Sequence, residues 1–507
     1  MDIFLIVITI IITILLLGSN FYGMIYFLDP AEKGIADSWP FKLIVMVSMM
    51  LAWGQVLALP LDVANSHGGV GSLQIDVLWQ ILYLSIFCFV TVILPTAMFF
   101  FESDEESPIC DRVWYTCRHL FFVVAVEALI LGLMYGLIAK TSIPVKTYIC
   151  DWSSKEYNEE GNPVGSDCET GTEDLIIPVT FPIYVMALLS FVGWFLLTLF
   201  GGIGLGAIPL DLINKFRFRP QQLTKVELEA KERLLRERAK DLMEVASQVK
   251  TSKSEINTEE SWFSRRKLKG TLKRDMNRLQ AETLLLEQDY EIFLEEKEVS
   301  KKSPLWYPFY LFIGIISLVV TILWLLQIVL YVLVSTDGGN GIPFLNDILT
   351  GLETPGTSFL ATILYCTLTM YLMLAVIKGN VKFGLRFFCF CKAHPIKKDN
   401  TPMNSMLFNC MLVLLTSVSV TLFCTNALGK YTRLTAINNM FGIQIRHLEF
   451  FRYFYENNVF EYMLFIWTIL SMFYLICKGK DSNVAKFSKF DMEFEKEKIK
   501  YLNKAGS

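Results

Sequence analysis

The sequence predicts an all-α, polytopic membrane protein, and three observations support this class. Of its 507 residues, 53% are apolar, and the mean hydropathy is +0.43. The apolar residues occur in long, continuous blocks separated by charged segments. The blocks reach the roughly 20 residues that a helix needs to cross a bilayer core of about 30 Å. Because the blocks are continuous and do not alternate with polar residues, a transmembrane β-barrel is excluded.

Nine blocks are long enough to be transmembrane helices. They cover residues 3–28, 41–60, 77–101, 119–139, 180–204, 306–335, 358–378, 404–428 and 459–477. The first block has neither a basic leading region nor a small-residue cleavage site, so we interpret it as a retained span. The predicted organisation is a first membrane part at 1–210, a soluble helical segment at 211–304, a second membrane part at 305–478 and a tail at 479–507.

Lysine and arginine residues in the connections predict the orientation. Segments 211–305 and 379–403 are rich in both, and such connections usually face the cytosol. With nine spans, this places the N-terminus outside or in a lumen and the C-terminal tail in the cytosol. The predicted outer connections are 61–76, 140–179, 336–357 and 429–458. The last departs from the rule, because it contains Lys430, Arg433, Arg446 and Arg452.

The soluble segment contains two stretches with helical spacing of apolar residues. The first seam comprises Leu228, Leu235, Ala239, Leu242, Ala246 and Val249, and the second comprises Leu272, Met276, Leu279, Leu286, Tyr290 and Phe293. A polar connection at 250–265 separates them, which favours an antiparallel helical hairpin over a long dimeric coiled coil. Its mixed charged faces are either a solvated surface or a surface for protein partners.

Four cysteines carry predictions. Cys150 and Cys168 are the only cysteines of the predicted outer connection 140–179, so we expect a disulfide there, with two free thiols as the alternative. Cys389 and Cys391, in "FFCFCK", lie beside aromatic and basic residues at a predicted membrane edge. Reversible palmitoylation and ordinary reduced thiols are both open for this pair.

The sequence lacks the motifs of the common enzyme classes. It has no Walker A sequence, no G-x-S-x-G, no H-E-x-x-H and no paired CxxC, and its four histidines are widely separated. We therefore expect no enzyme activity, no cofactor and no metal site. The lipid bilayer is the first partner that the composition implies, and nucleic acid is not a plausible one.

The glycine-rich stretch "FGGIGLGAIPLDLI" at 200–213 is interpreted as a site of helix packing. Its small residues, Gly201, Gly202, Gly204 and Gly206, allow a second helix to approach closely, and Pro209 is expected to bend or break the helix. A phosphate-binding loop is disfavoured, because the stretch ends a membrane span and precedes no strand and helix pair.

A few polar residues near or inside the spans are candidates for a pathway or a polar core. Glu127 is the only carboxylate well inside an apolar block, so it requires a partner, water or a cavity. Asp62 and Asp211 follow the elements "LPLD" and "IPLD", where each either caps a short helix or contacts a ligand at the mouth of a span. Asn404, with Ser405 and Asn409, completes the set.

Five stretches of the chain together resemble one family. They are "LALPLDVANSH", "AMFFFESDEE", "FGGIGLGAIPLDLI", "HPIKKDNTPMNSMLFN" and "SVSVTLFCTNALGKY". This set resembles the LIMR family, the limb-region and lipocalin-interacting membrane receptor-like proteins, in the branch typical of plants and protists. The family is similar in turn to the lysosomal cobalamin transport escort proteins, whose two shared elements correspond here to Pro60–Asp62 and Ala207–Ile213.

The resemblance implies a nine-span receptor or transport-accessory protein with an outer N-terminus and a cytosolic C-terminus. Its members are associated with uptake of carrier proteins, with moving cobalamin out of lysosomes and with endocytic signalling. It supplies no catalytic or ligand-binding motif. A plasma membrane and an endolysosomal membrane are both compatible with it.

Two hypotheses of function follow. In the first, the protein is a receptor or escort that acts through protein contacts of its hairpin and outer loops, with a carrier protein or a small hydrophobic or amphipathic ligand outside. In the second, it conducts a small solute, cofactor or lipid past Glu127 and the bend at 200–211. The presence of one intramembrane acid, where a transporter of charged solutes usually has several, favours the first.

Overall fold

The computed structural model describes residues 3–34, 38–66, 74–103, 107–150, 168–217, 224–258, 262–301, 306–334, 341–354, 357–387, 391–394 and 396–477. Within these ranges, nine helices are long and apolar enough to cross a membrane, which confirms the predicted class. The predicted tail at 479–507 and Cys389 lie outside the described residues.

The first half of the chain contains the first five spans and a β-hairpin. Its elements are α1 (Ile3–Phe27), α2 (Trp39–Ser66), α3 (Ile75–Cys88), α4 (Leu94–Glu102), α5 (Ile109–Ile138), β1 (Lys140–Cys150), β2 (Cys168–Pro178), α6 (Phe181–Leu196) and α7 (Gly202–Arg217). Short π-helical segments, Phe89–Ile93 and Leu197–Gly201, join α3 to α4 and α6 to α7, so that each pair forms one span.

The rest of the described chain contains two long polar helices and four further spans. Its elements are α8 (Lys225–Thr258), α9 (Trp262–Lys301), α10 (Trp306–Gln327), α11 (Phe344–Leu352), α12 (Ser358–Phe383), β3 (Leu385–Phe387), β4 (Cys391–Ala393), α13 (Met403–Ala427), α14 (Ala436–Asn438), α15 (Phe451–Glu456) and α16 (Val459–Cys477). Further π-helical segments follow α10 at Ile328–Leu333 and α14 at Asn439–Ile445.

The described residues form two compact units. The membrane unit comprises the chain up to Leu210 together with Ile316–Cys477, and the second unit comprises Asp211–Ile315.

Helix α13 lies at the centre of the membrane unit. It packs against α2, α4, α6 and α12, and 83% of its most apolar stretch is buried. Its hydroxyl side chains return hydrogen bonds to the helix backbone, as from Thr416 to the carbonyl of Leu412 and from Thr425 to that of Thr421. These internal bonds satisfy the hydroxyl groups and let a serine- and threonine-rich helix occupy a buried position.

Glycines set the closest approach between helices in this unit. A Cβ added at Gly204 of α7 would lie 1.7 Å from the carbonyl oxygen of Ala375 in α12, and one at Gly379 would lie 1.9 Å from that of Phe200. A Cβ at Gly202 or Gly206 would meet Trp467 or Met472 of α16 at 2.9 or 2.8 Å. The glycine-rich stretch therefore lies between two neighbouring helices, and it needs small residues on both sides.

The structure differs from the expectation of a break at Pro209, because α7 continues through this residue to Arg217. Proline has no N–H group, so an interior proline leaves the carbonyl four residues earlier without its usual donor. Here that carbonyl belongs to Leu205, and it accepts a hydrogen bond of 3.0 Å from the hydroxyl of Thr321 in α10. The neighbouring helix thus replaces the missing bond, and the irregular turn lies earlier, at Leu197–Gly201.

At each end of α13, segments that are far apart in the sequence contact each other. At its start, the backbone N–H of Asp29 donates to the carbonyl of Thr401, and Lys33 pairs with Asp399. At its far end, β1 contacts the segment before α15 through Ser142 and His447, whose backbones are joined at 3.1 Å. We call residues 140–150, 168–178, 341–347 and 429–456 at this far end the loop assembly.

The loop assembly contains a β-hairpin that the analysis of spans did not predict. Strands β1 and β2 pair in antiparallel register from Lys140 opposite Pro178 to Cys150 opposite Cys168. The two predicted disulfide partners are therefore cross-strand neighbours, although their side chains lie outside the described part of the structure, and the bridge stays a prediction. Cys391, the second residue of the predicted palmitoylation pair, belongs to the short strand β4.

Helices α8 and α9 of the second unit form the antiparallel hairpin. Leu235 and Phe293 are buried between them, and Leu228, Leu234 and Leu286 pack against this pair. Ion pairs bracket the contact, with Lys231 Nζ 2.7 Å from Glu296 Oε2 and Arg238 Nη1 3.3 Å from Asp289 Oδ2. The later residue of α8 pairs with the earlier residue of α9, so the two helices are antiparallel.

Candidate functional site

Asp62 is a site residue predicted from the sequence, and hydrogen-bond donors surround its carboxylate. Helix α2 does not end at Pro60, where the apolar block ends, but continues to Ser66, so that Asp62 lies in its last turns and is 1% exposed. The carboxylate does not cap a helix that follows it directly. Instead, its Oδ1 accepts from the backbone N–H of Ala436 at 3.0 Å, and its Oδ2 accepts from that of Ile437 at 2.9 Å.

The hydrogen bonds of Asp62 join three segments of the membrane unit. The indole N–H of Trp79 in α3 donates to Asp62 Oδ2 at 2.8 Å. Ala436 and Ile437 begin the helical segment that continues to Ile445, and Thr435 caps it with its own hydroxyl. A carboxylate at a helix N-terminus satisfies free N–H groups and interacts favourably with the helix dipole. Asp62 is thus the residue that ties α2 and α3 to the loop assembly.

A second buried polar contact also involves α2. Gln55 is buried, and its Oε1 accepts a hydrogen bond of 2.9 Å from the hydroxyl of Ser417 in α13. Two residues further along α13, the hydroxyl of Ser419 donates to the carbonyl of Ser190 in α6 at 2.7 Å. These interhelical hydrogen bonds fix the rotation of α13 relative to its neighbours.

Glu127 has different surroundings from Asp62. It is half-buried on α5, and within the described residues it has neither an ion pair nor a hydrogen bond from its side chain. None of the residues in the most apolar stretch of α5 is buried, and large side chains such as Phe122, Leu129 and Leu133 are exposed along it. Glu127 therefore lies on a helix at the margin of the membrane unit and not in its interior.

The remaining predicted site residues lie apart from Asp62 and Glu127. Asp211 lies in α7 two residues after Pro209 and is half-buried. Asn404 lies in the first turn of α13, and its buried Oδ1 has no partner among the described residues, as is also true of Asn409 Oδ1. The structure brings Asn404 and Asn409 together at the start of α13, which is the opposite end from Asp62.

A charged cluster in the loop assembly was not identified from the sequence. Glu456 Oε1 lies 2.7 Å from Arg452 Nε and 3.2 Å from His447 Nδ1, and Arg452 Nη1 lies 3.4 Å from Asp174 Oδ2. Burial lowers the pKa of His447, and the hydrogen bond with Glu456 opposes that shift. Hydrogen bonds from Ser142 and then Arg452 lower the pKa of Asp174. The basic residues of 429–458, which break the orientation rule, are the signal in the sequence for this cluster.

Among the predicted site residues, Asp62 is placed to anchor neighbouring segments. Among the described residues, no group of three or more histidine, cysteine, aspartate or glutamate side chains is placed to hold a metal ion. Asp62 is held by three hydrogen-bond donors, and Glu127 faces the margin of the unit. Together, the nine spans, the helical hairpin and these positions define a polytopic α-helical membrane protein.

Comparison with known proteins identifies the family. The model of the LMBR1-like membrane protein family matches residues 4–283 and 272–476, so the chain belongs to this family. A LIMR family protein of Dictyostelium discoideum is 33% identical over 517 aligned residues, covering 95% of this chain and 98% of that protein. One from Oryza sativa subsp. japonica is 30% identical over 502 residues, covering 94% and 96%. No solved structure gave a significant match.

Proposed function

We propose that this protein is a non-enzymatic membrane receptor or transport-accessory protein that acts through protein contacts in endocytic or lysosomal trafficking. The observation that carries the proposal is the position of Glu127 on α5. The carboxylate lies in a span whose most apolar stretch is unburied, and it has no partner among the described residues. An acid within a membrane span is costly unless another group pairs with it.

A second transmembrane protein packed against α5 supplies such a group. Small or polar side chains of a neighbouring helix satisfy a carboxylate by donating hydrogen bonds, which is a common form of helix association in membranes. The interior acid Asp62 does not compete for this role, because Trp79 and two backbone N–H groups already occupy it. Of the acids inside spans that the sequence predicted as site residues, Glu127 is therefore the one without a partner among the described residues.

The second unit provides a further surface for partners. The outer faces of α8 and α9 carry mixed charges, as with the exposed pairs Arg236 with Glu232 and Arg278 with Glu282. With the N-terminus outside, this hairpin faces the cytosol and the loop assembly faces the outside or a lumen, where a carrier protein or a small amphipathic ligand binds. The membrane is the plasma membrane or an endolysosomal membrane.

Transport of a small solute, cofactor or lipid is the second candidate function. The observation that favours it is the group of buried amide oxygens near the start of α13, on Asn380, Asn404 and Asn409, which have no partner among the described residues. Polar groups of this kind inside a membrane protein line substrate paths when they face a cavity.

Flux through the purified protein separates the two functions. The assay follows uptake and efflux of labelled cobalamin and fluorescent lipids in liposomes that contain only this protein, with Glu127→Gln and Asn404→Ala in parallel. We expect no flux above that of protein-free liposomes. A melting curve of the reconstituted protein verifies that it is folded. Flux by the protein alone that falls in either variant contradicts the accessory role and establishes transport.

A further inference from the structure

A partly open cavity of about 290 Å³ lies at the end of α13 and is lined mainly by residues of the loop assembly. Its basic lining residues are Lys430, Arg433 and Arg446, and its neutral polar lining includes Asn426 and Asn438. No carboxylate is among the lining residues. The volume is near the lower end of the range for small-molecule sites, which begins at about 300 Å³.

The cations of this cavity differ in their partners. Lys430 Nζ lies 2.7 Å from Asp347 Oδ1, so its charge is already paired. Arg433 is exposed and forms no ion pair with any described residue. Arg446 is half-buried, and the buried Glu461 acts on it electrostatically without forming an ion pair with it. Two arginine residues therefore line the cavity without an ion pair to a described carboxylate.

The basic residues are held on an ordered frame. The side-chain N–H of Asn438 donates to the carbonyl of Arg433 at 3.1 Å, which fixes the turn that carries this arginine. A Cβ added at Gly442 would lie 2.4 Å from Asn438 Oδ1, so the backbone approaches the asparagine closely there. Asp62 holds the first turn of the same helical segment through Ala436 and Ile437.

The sequence gives an independent reason to ask what these cations do. The segment 429–458 contains four basic residues, more than any other predicted outer connection. Lysine and arginine near spans disfavour the outer side, so their presence there requires a compensating role. The ion pair of Lys430 with Asp347 and those of Arg452 with Asp174 and Glu456 account for two of the four residues. Arg433 and Arg446 are the two without an ion pair among the described residues.

The geometry points to a binding site for a phosphomonoester group in this cavity. Two guanidinium groups match the charge of about −1.5 to −2 that a phosphomonoester carries near neutral pH. The planar fork of arginine binds phosphate oxygens in pairs, which a lysine ammonium does not do. Asn426 and Asn438 supply neutral groups for hydroxyls next to the phosphate. This site is additional to the proposed contact role and does not depend on it.

Two sources of the same group fit the position at the end of a span. One is a soluble phosphomonoester, and the other is the headgroup of a phosphatidic acid molecule in the adjacent leaflet. The test uses the full-length protein, with glycerol 3-phosphate as the soluble probe. Nanodiscs of phosphatidylcholine with or without phosphatidic acid provide the lipid probe.

Binding is compared in the wild type, Arg433→Gln, Arg446→Gln and Arg118→Gln. Arg118 is the matched control, because it is an exposed arginine on α5 with no described partner. We expect either Arg433→Gln or Arg446→Gln to weaken binding about tenfold, while Arg118→Gln leaves it unchanged. Binding of glycerol 3-phosphate supports the soluble source, and binding only in discs with phosphatidic acid supports the lipid source.

Three results overturn the assignment. The first is no binding of either probe to the wild type. The second is equal affinity in Arg118→Gln and Arg433→Gln, which would mean that surface charge alone attracts the phosphate. The third is equal affinity for succinate and glycerol 3-phosphate, which would show a site for any dianion. Arg433 is exposed, so its substitution leaves the fold intact and keeps the comparison valid.

Discussion

Asp62 has a structural role at the scale of a single residue. The sequence marks it as an unusual acid near the end of a span, but its hydrogen-bond partners Ala436 and Ile437 are 374 and 375 residues further along the chain. No local pattern indicates such a pairing. The residue could be selected from the sequence, whereas its role required the tertiary structure.

Substitution of Asp62 by asparagine is expected to destabilise the membrane unit. An asparagine has one acceptor oxygen for the three donors, so at least one buried N–H group loses its partner, at a cost of about 1–3 kcal/mol. The measurement is the thermal unfolding midpoint in detergent. Asp111→Asn, which removes an exposed charge at the start of α5, is the control and should unfold like the wild type. Equal midpoints for both variants would refute the anchoring role.

Gly204 is the second position where one atom decides the packing. A Cβ there would lie 1.7 Å from the backbone oxygen of Ala375, so α7 and α12 must separate to accommodate alanine. We expect Gly204→Ala to lower stability by about 1–3 kcal/mol. Gly136→Ala on α5 is the matched control, because nothing lies within 4 Å of its added Cβ. The thermal midpoints of the two variants check the prediction, and a midpoint of Gly204→Ala as high as that of Gly136→Ala would contradict it.

At the scale of elements, the spans were predictable and their ends were not. Hydropathy is a local property, so nine apolar blocks predicted nine spans. Pro60 and Pro209 were expected to end or break helices, but both lie inside helices. The hydroxyl of Thr321 replaces the hydrogen bond lost at Pro209. This threonine lies too far along the chain for a local sequence pattern to indicate the contact. Hydropathy did not indicate the hairpin β1–β2, because neither strand lies in an apolar block.

The soluble hairpin should depend on its partly buried ion pair. Lys231 is 3% exposed, and Glu296→Gln leaves its ammonium without the full charge of its partner. We expect a loss of about 1–3 kcal/mol in the unfolding free energy of the hairpin. Glu282→Gln, in the exposed pair with Arg278, is the control and should change it by less than about 0.5 kcal/mol. Hydrogen exchange of α8 and α9 measures both, and equal exchange in the two variants would contradict the prediction.

The loop assembly should lose stability as the pH falls from 7.5 to 5.5. Burial lowers the pKa of His447 in the folded state, against interactions with Glu456, while Arg446 and Arg452 also oppose its charge. Stability from a neutral histidine is fully present above the unfolded pKa of about 6.5 and is lost as the pH falls towards the folded value. Asp174, whose pKa is lowered by Ser142 and Arg452, contributes stability above about pH 4, so it does not titrate in this window.

Hydrogen exchange of β1 and β2 at the two pH values, corrected for intrinsic rates, measures this effect. The wild type should lose protection at pH 5.5, and His447→Gln should lose less, because glutamine stays neutral. The same loss of protection in both proteins would exclude His447 as the cause.

At the scale of the whole molecule, the orientation stays a prediction with a direct test. The substitution Glu160→Thr completes a glycosylation sequon at Asn158 in the predicted outer connection, and Glu259→Thr completes one at Asn257 in the predicted cytosolic hairpin. We expect a glycosidase-sensitive increase in mass for the first variant and none for the second. Modification of the second variant alone would reverse the orientation.

The proposed function requires that α5 binds a transmembrane protein partner through the face that carries Glu127. The most direct measurement places a photoreactive amino acid at Ile130, one turn from Glu127, and at Leu15 of α1 as a control. Both positions are exposed on helices with little burial, but α1 has no acidic residue. Irradiation in cells should give a discrete protein adduct from position 130 that Glu127→Gln abolishes, and no such adduct from position 15. Only lipid adducts from both positions would contradict the claim.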